Sequence, residues 1–160
     1  MSVTVSGSRG RRRATYHLLT PPNRYPSQLA GWDGTAVFKL ATPRTGTSRF
    51  GQYLLELEQG GGTTGTVDEG FEHFILSLEG EIELDGVELG EGAFAYVPSG
   101  CGIALRSSSA ARVMWIKRRY EAAAGIAAPQ GLFGRLTELT SYHRLGRVAK
   151  GVAPSQRPGV

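Results

Sequence analysis

Between Thr35 and Tyr120 apolar and polar residues alternate in short runs broken by glycine, and few stretches have helical spacing. The clearest run is Glu81-Ile82-Glu83-Leu84, where a period of two puts acids on one face and aliphatics on the other. The pattern predicts strands over 35–41, 48–58, 72–78, 81–84, 93–97, 103–106 and 112–119. Turns are predicted at Glu79-Gly80, Asp85-Gly86, Gly90-Glu91-Gly92 and Pro98-Ser99-Gly100. Asp-Gly is the strongest of these signals, because both central residues of a type I′ hairpin turn need positive φ. Short strands at regular spacing with no helical pattern between them predict an all-β protein, an antiparallel sandwich or barrel.

The flanks read differently. Residues 1–16 have the composition of a flexible basic arm, and Pro21, Pro22 and Pro26 predict an extended lead-in that packs over the body. Residues 121–124 are long enough for one helical turn before Gly125 and Pro129 stop it, and 132–142 is a candidate last short element. Residues 141–160 are expected to form a disordered basic tail. The folded domain is therefore placed at 17–140, with no internal repeat.

Charge sharpens this division. The net charge of +4 is distributed as +5 over residues 1–31, −5 over 32–134 and +4 over 135–160. The body is acidic and repels a phosphate backbone, and the first basic tail carries almost no aromatic residues for base stacking. These features argue against a nucleic-acid partner. A single Cys, Cys101, allows no internal disulfide and no cysteine zinc site. The longest apolar runs fall far short of the roughly 20 residues that cross a bilayer. Arg9 to Arg13 lead into Ala-Thr-Tyr-His rather than an apolar segment, so no secretory signal is read. A cytoplasmic location is expected.

The most informative stretches are 60–80, which ends Leu76-Ser77-Leu78-Glu79-Gly80, and 92–100, where Gly92, Pro98 and Gly100 are spaced as Gly, five residues, Pro, one residue, Gly. Together they resemble the two motifs of the cupin superfamily. The resemblance implies a single jelly-roll antiparallel β-barrel with an irregular N-terminal arm and a C-terminal tail. In metal-binding cupins His, Glu and Gln side chains from both motifs converge on one divalent ion. By that resemblance, counting back from Gly80, His73 takes the last ligand position of the first motif, Glu69 the middle one and Val67 the first, while Ile103 takes the position in the second motif. At most Glu69 and His73 are left as metal ligands, a degenerate site, with Asp68 and Glu72 on positions that alternate away. Structural or pocket-lining roles for both residues are the expectation.

The flanks narrow the resemblance. His17-Leu-Leu-Thr-Pro21, Leu40-Ala-Thr-Pro43, the Gly60–Gly62 run, Phe71-Glu-His-Phe-Ile-Leu and Lys117-Arg-Arg-Tyr120 are similar to the N-terminal half of the bicupin (S)-ureidoglycine aminohydrolases, which release ammonia hydrolytically in purine-ureide catabolism. The resemblance covers about residues 17–140. It implies that manganese is held in a C-terminal cupin by Glu-x-His-x-x-x-His and a later Gln. Here the corresponding motif reads Val67-x-Glu69-x-x-x-His73, and a second cupin is not expected to follow. This half is expected to carry no catalytic residue and no cofactor, to be inactive alone, and to be a truncated or split bicupin. The alternative is a free-standing cupin that binds a ureide or another small organic ligand without catalysis. A second cupin domain or a second copy is the expected protein partner.

Other constellations are weaker. The Gly60–Gly65 run lacks the Gly-Lys-Ser/Thr ending of a phosphate loop and reads as a turn. A Cys101–His73 nucleophile pair needs the fold to bring the two within hydrogen-bond reach. Strand alternation divides Lys117, Arg118 and Arg119 between opposite faces, which suits a solvated strand end or an interdomain contact better than one anion site. Trp32, Trp115, Phe74, Phe94 and Tyr96 read as core aromatics.

Overall fold

A computed structural model describes residues 11–12, 17–44, 48–67, 70–144 and 147–151. The chain enters through β1 (Arg11–Arg12) and β2 (His17–Leu18), a two-residue antiparallel ladder, and then through β3 (Pro26–Ser27). The body consists of β4 (Asp33–Ala41), β5 (Phe50–Val67), β6 (Phe71–Glu79), β7 (Ile82–Leu84), β8 (Val87–Leu89), β9 (Ala93–Val97), β10 (Gly102–Ser107), β11 (Ala111–Arg119) and β12 (Leu132–Arg135). Every pairing is antiparallel, and one sheet runs β12-β9-β6-β11-β5-β10-β7-β8, with β4 also on β5 and β3 on β4. No described residue is α-helical. The all-β, jelly-roll expectation holds.

Strand β5 makes the curl possible. Its first half pairs with β4 and β11, and its second half, Gly62 to Val67, pairs with β10. One strand thus belongs to both halves of the barrel. This corrects the reading of the Gly60–Gly65 run as a turn: those residues lie inside an 18-residue strand. The glycines serve close approach instead. A Cβ on Gly62 would stand 1.9 Å from the Leu105 carbonyl oxygen, and one on Gly61 would stand 2.4 Å from that of Gly34. Gly60, Gly62 and Gly65 all have positive φ, so the strand bends here without ending. The bent backbone is satisfied locally: Ser107 Oγ shares its proton between the carbonyls of Glu58 and Gly61, and Arg106 Nη1 donates to that of Gly60 at 2.8 Å.

Alternation then sorts the side chains. Val37, Leu55, Leu57, Ile75, Val97, Leu105, Val113 and Trp115 point into one contiguous core together with His73 and Ser77. Phe94 is buried on the opposite face, stacked at 5.8 Å on Phe74 and covered by Gly134 of β12. At the Asp85-Gly86 turn φ is 50° and 81°, and Leu84 pairs with Val87, as the hairpin signal predicts.

Two flanking expectations are corrected. Residues 121–123 carry no regular structure, and 124 and 125 form a turn closed by the Ile126 N–H donating to the Ala123 carbonyl. Residues assigned to a disordered tail form a hairpin, β13 (Thr140–Arg144) with β14 (Arg147–Gly151). Strand formers Thr140, Tyr142 and Val148 without an intervening proline favour that pairing over a coil. Residues 1–10, 13–16, 145–146 and 152–160 of the two tails lie outside the described residues.

Candidate functional site

Strands β6 and β11 bring the chemistry together. Their register pairs Lys117 with His73 and Trp115 with Ile75, so Trp115, Lys117 and His73 occupy neighbouring inward positions of the barrel. His73 is 1% exposed and Trp115 6%. A buried indole N–H needs an acceptor, and Trp115 Nε1 finds it in His73 Nδ1 at 3.2 Å. That bond fixes the imidazole: because Nδ1 accepts, the neutral ring carries its proton on Nε2. The two ring planes differ by only 15°, with centroids 6.0 Å apart.

Other aromatic rings build outward from this pair. Trp115 meets Tyr53 of β5 at 5.0 Å and Trp32 of the lead-in at 5.3 Å, both tilted by 34°. The lead-in residues Leu29, Ala30 and Trp32 lie across the barrel mouth and enclose, with His73, Ile103, Trp115 and Lys117, a cavity of about 310 Å³. The Lys117 ammonium lies 4.3 Å from the centroid of Phe71 and 6.0 Å from that of Trp115. A larger groove of about 940 Å³ is lined by residues 26–36 and Glu56 to Glu58 and shares Leu29, Ala30 and Trp32 with that cavity. It contains no histidine or cation, so the smaller cavity is the candidate site.

The predicted site residues separate as follows. His73 and Ile103 line the cavity. Glu69 lies outside the described residues, and Val67 is described only in its backbone, opposite Gly102. Glu72 faces the other way, accepting from the Tyr96 hydroxyl at 2.7 Å and pairing with Arg118 Nε at 3.3 Å. Lys117, Arg118 and Arg119 are divided between faces, as alternation requires, but Lys117 goes to the cavity rather than to a solvated end. Cys101 is half-buried against the core. Trp115, Trp32 and Lys117 were not singled out as site residues. The available signal was Trp115 itself: two positions before Lys117 on an inward face, its N–H required a buried polar partner.

Among the described residues the donor set does not fit a divalent cation. A histidine that ligates through Nε2 normally has its other nitrogen protonated and donating. At His73 that nitrogen faces an N–H donor, and protonating it would set two donors against each other. Val67 and Ile103 carry no ligating atom. Among the described residues no group of three or more His, Cys, Asp or Glu converges.

The chain is 31% identical over 142 residues to (S)-ureidoglycine aminohydrolase of Escherichia coli, covering 84% of this chain and 54% of that protein. It therefore spans about half the length of the curated relative. Among solved structures the E. coli protein Ylba superposes with a TM-score of 0.76 at 29% identity, over 84% of this chain and 58% of that one. An RmlC-like cupin from Shewanella frigidimarina superposes with a TM-score of 0.52 at 15% identity, over 66% and 93% of the two chains, which is a likeness of fold. No family model matches the chain. The fold is that of a single cupin jelly roll, and the chain resembles ureidoglycine aminohydrolase. No described helix is long and apolar enough to cross a membrane.

Proposed function

We propose that this chain is a cupin domain of the ureidoglycine aminohydrolase type that does not itself carry the ammonia-releasing chemistry, and whose barrel receives a small organic molecule. The similarity to E. coli (S)-ureidoglycine aminohydrolase supports the type. One observation carries the non-catalytic part: the indole N–H of Trp115 occupies His73 Nδ1, at the position where the cupin resemblance puts a metal ligand. Val67 and Ile103 at two further ligand positions supply no donor, which disfavours a bound cation. Hydrolysis of a ureide would then fall to a second cupin domain, and this domain would act as its structural partner.

The test is direct. The full chain is loaded with manganese, dialysed, and assayed both for retained metal and for ammonia release from (S)-ureidoglycine. Neither stoichiometric metal nor turnover is expected. Turnover by the isolated chain would sink the proposal.

The second reading, a free-standing cupin that binds its ligand without any catalytic partner, is favoured by the cavity at the barrel mouth, whose size falls within the range of small-molecule sites. Co-purification of the natively expressed chain separates the two readings. A stoichiometric second cupin supports the first, and its absence supports the second.

A further inference from the structure

We infer that the outer face of the sheet β4-β5-β11-β6-β9-β12 is the contact through which two copies of this chain form a two-fold dimer, with the axis running along the gap between β11 and β6. The inference goes beyond the proposed function, and it concerns the side of the sheet that faces away from the cavity.

The strand pattern shows that this face needs a cover. An antiparallel sheet whose outer face meets water alternates apolar and polar residues. Phe74-Ile75-Leu76 and Val113-Met114-Trp115-Ile116 do not alternate, and are apolar on both faces. Their inward members close the core, and their outward members line up across the sheet. One row joins Phe38, Leu54, Met114, Leu76 and Phe94 through successive register pairs and ends at Gly134. The next joins Ile116, Phe74, Tyr96 and Leu132. Leu54 and Phe94 are buried yet stand outside the core cluster, while Phe38, Met114, Leu76, Ile116 and Phe74 remain partly exposed. Contiguous apolar surface of this kind marks an interaction site, and the described residues hold no α-helix to lie over it.

Charge selects the occupant. Ion pairs border the two apolar rows, Arg112 with Glu79 at 2.7 Å on one side and Arg118 with Glu72 at 3.3 Å on the other. Both pairs straddle the same two strands, β11 and β6. A two-fold axis along the gap between those strands exchanges them, so Arg112 of each copy comes opposite the Glu79 of the other, and Arg118 opposite the Glu72. The same rotation lays Phe38 on the second copy's Gly134, bulk against a gap, and Met114 on its Leu76. The face is therefore self-complementary, as a contact between identical subunits requires, with an apolar centre and a charged rim. Size is sufficient as well. Strands about 4.8 Å apart, with a rise of about 3.4 Å per residue, make the face from β4 to β12 and from Arg112 to Arg118 roughly 24 Å by 20 Å. Two such faces reach the roughly 1,000 Å² in total that a specific interface should clear.

The experiment is size-exclusion chromatography with light scattering on the full chain from about 1 to 100 μM. A mass of twice 17.1 kDa is expected. Met114→Lys puts a charge at the centre of the face and should leave a monomer. Arg112→Glu and Glu79→Arg each set like charges across the contact, and each alone should weaken dimerisation about tenfold. Mixed in equal amounts, the two variants again oppose unlike charges and should form a heterodimer of wild-type affinity, counted by native mass spectrometry. Ion pairs that acted only within one copy would leave the mixture as weak as its components. Thermal melts confirm that each variant is folded, and the charge variants keep the test decisive should Met114→Lys fail to fold. A monomer at every concentration, a dimer unmoved by Met114→Lys, or a mixture no tighter than its components would overturn the inference. A monomer that co-purifies with a second cupin, through a contact that Met114→Lys abolishes, would overturn the second copy as occupant and leave the first reading of the function standing.

Discussion

Trp115 Nε1 donates to His73 Nδ1 across 3.2 Å in the barrel interior, and both side chains are almost wholly buried. The bond links packing to chemistry, because it selects the tautomer of the one described histidine in the core. Trp115→Phe keeps an aromatic ring against Tyr53 and Trp32 but leaves the buried Nδ1 without this donor. An unsatisfied buried acceptor costs about 1–3 kcal/mol. Urea unfolding should show a loss of that size, together with a shift of the His73 ring resonances between tautomers by nitrogen NMR. Unchanged ring shifts would show that the bond does not set the tautomer.

Gly62 should be the least replaceable glycine in β5. A Cβ there would stand 1.9 Å from the Leu105 carbonyl oxygen, and neither backbone can retreat without breaking the β5–β10 ladder. Gly60 also has positive φ, yet a Cβ on it meets nothing within 4 Å. Gly60→Ala should therefore cost only its left-handed strain, about 1–2 kcal/mol, whereas Gly62→Ala should cost more or prevent folding. Parallel melts of the two variants check the order.

This contrast also explains where the sequence was readable and where it was not. Period-two alternation at Glu81 to Leu84 and the Asp85-Gly86 dipeptide are local signals, and both the hairpin and its turn stand where they predict. The Gly60–Gly65 run was misread because positive-φ glycines serve turns and strand bends alike. What distinguishes the two is whether a distant backbone, here that of Gly34 or Leu105, comes within a Cβ radius. The site was half legible for a related reason. His73 and Ile103 followed from motif spacing, but the lead-in residues Leu29 and Trp32 carry no periodic signal, and only tertiary packing brings them over the barrel mouth. Alternation separated Lys117 from Arg118 without saying which of the two faced inward.

The Asp85 turn should depend on its side chain as well as on its backbone conformation. Asp85 has φ 50°, its backbone N–H donates to the Ala104 carbonyl at 2.8 Å, and its Oδ1 accepts from Ala104 N–H at 2.9 Å. The residue thus ties the β7–β8 hairpin to β10. Asp85→Ala loses both the tolerance for positive φ and the acceptor, and should destabilise by about 1–3 kcal/mol. Asp85→Asn keeps both and should recover most of the loss in chemical denaturation. Failure of Asn to do better than Ala would show that neither the conformation nor the acceptor matters.

The alkaline limit of stability should be set in part by Tyr96. Its hydroxyl is pushed well above the ordinary tyrosine value of 10.0, first by desolvation and then by the hydrogen bond to Glu72 and the charge of that carboxylate; Tyr53 is also raised, by burial. A raised value in the folded state means that the folded protein holds the proton more tightly than the unfolded chain does. The resulting contribution is fully present below pH 10 and declines as pH rises beyond it, where the unfolded phenol ionises and the folded one does not. Tyr96→Phe removes the titrating group, so the fall in stability above pH 10 should become shallower, leaving the part due to Tyr53. Below pH 10 the same variant should show a constant deficit from the lost bond to Glu72. Denaturation midpoints at intervals from pH 8 upward for both proteins separate the two effects, and an unchanged alkaline slope in the variant would show that Tyr96 titrates alike in both states.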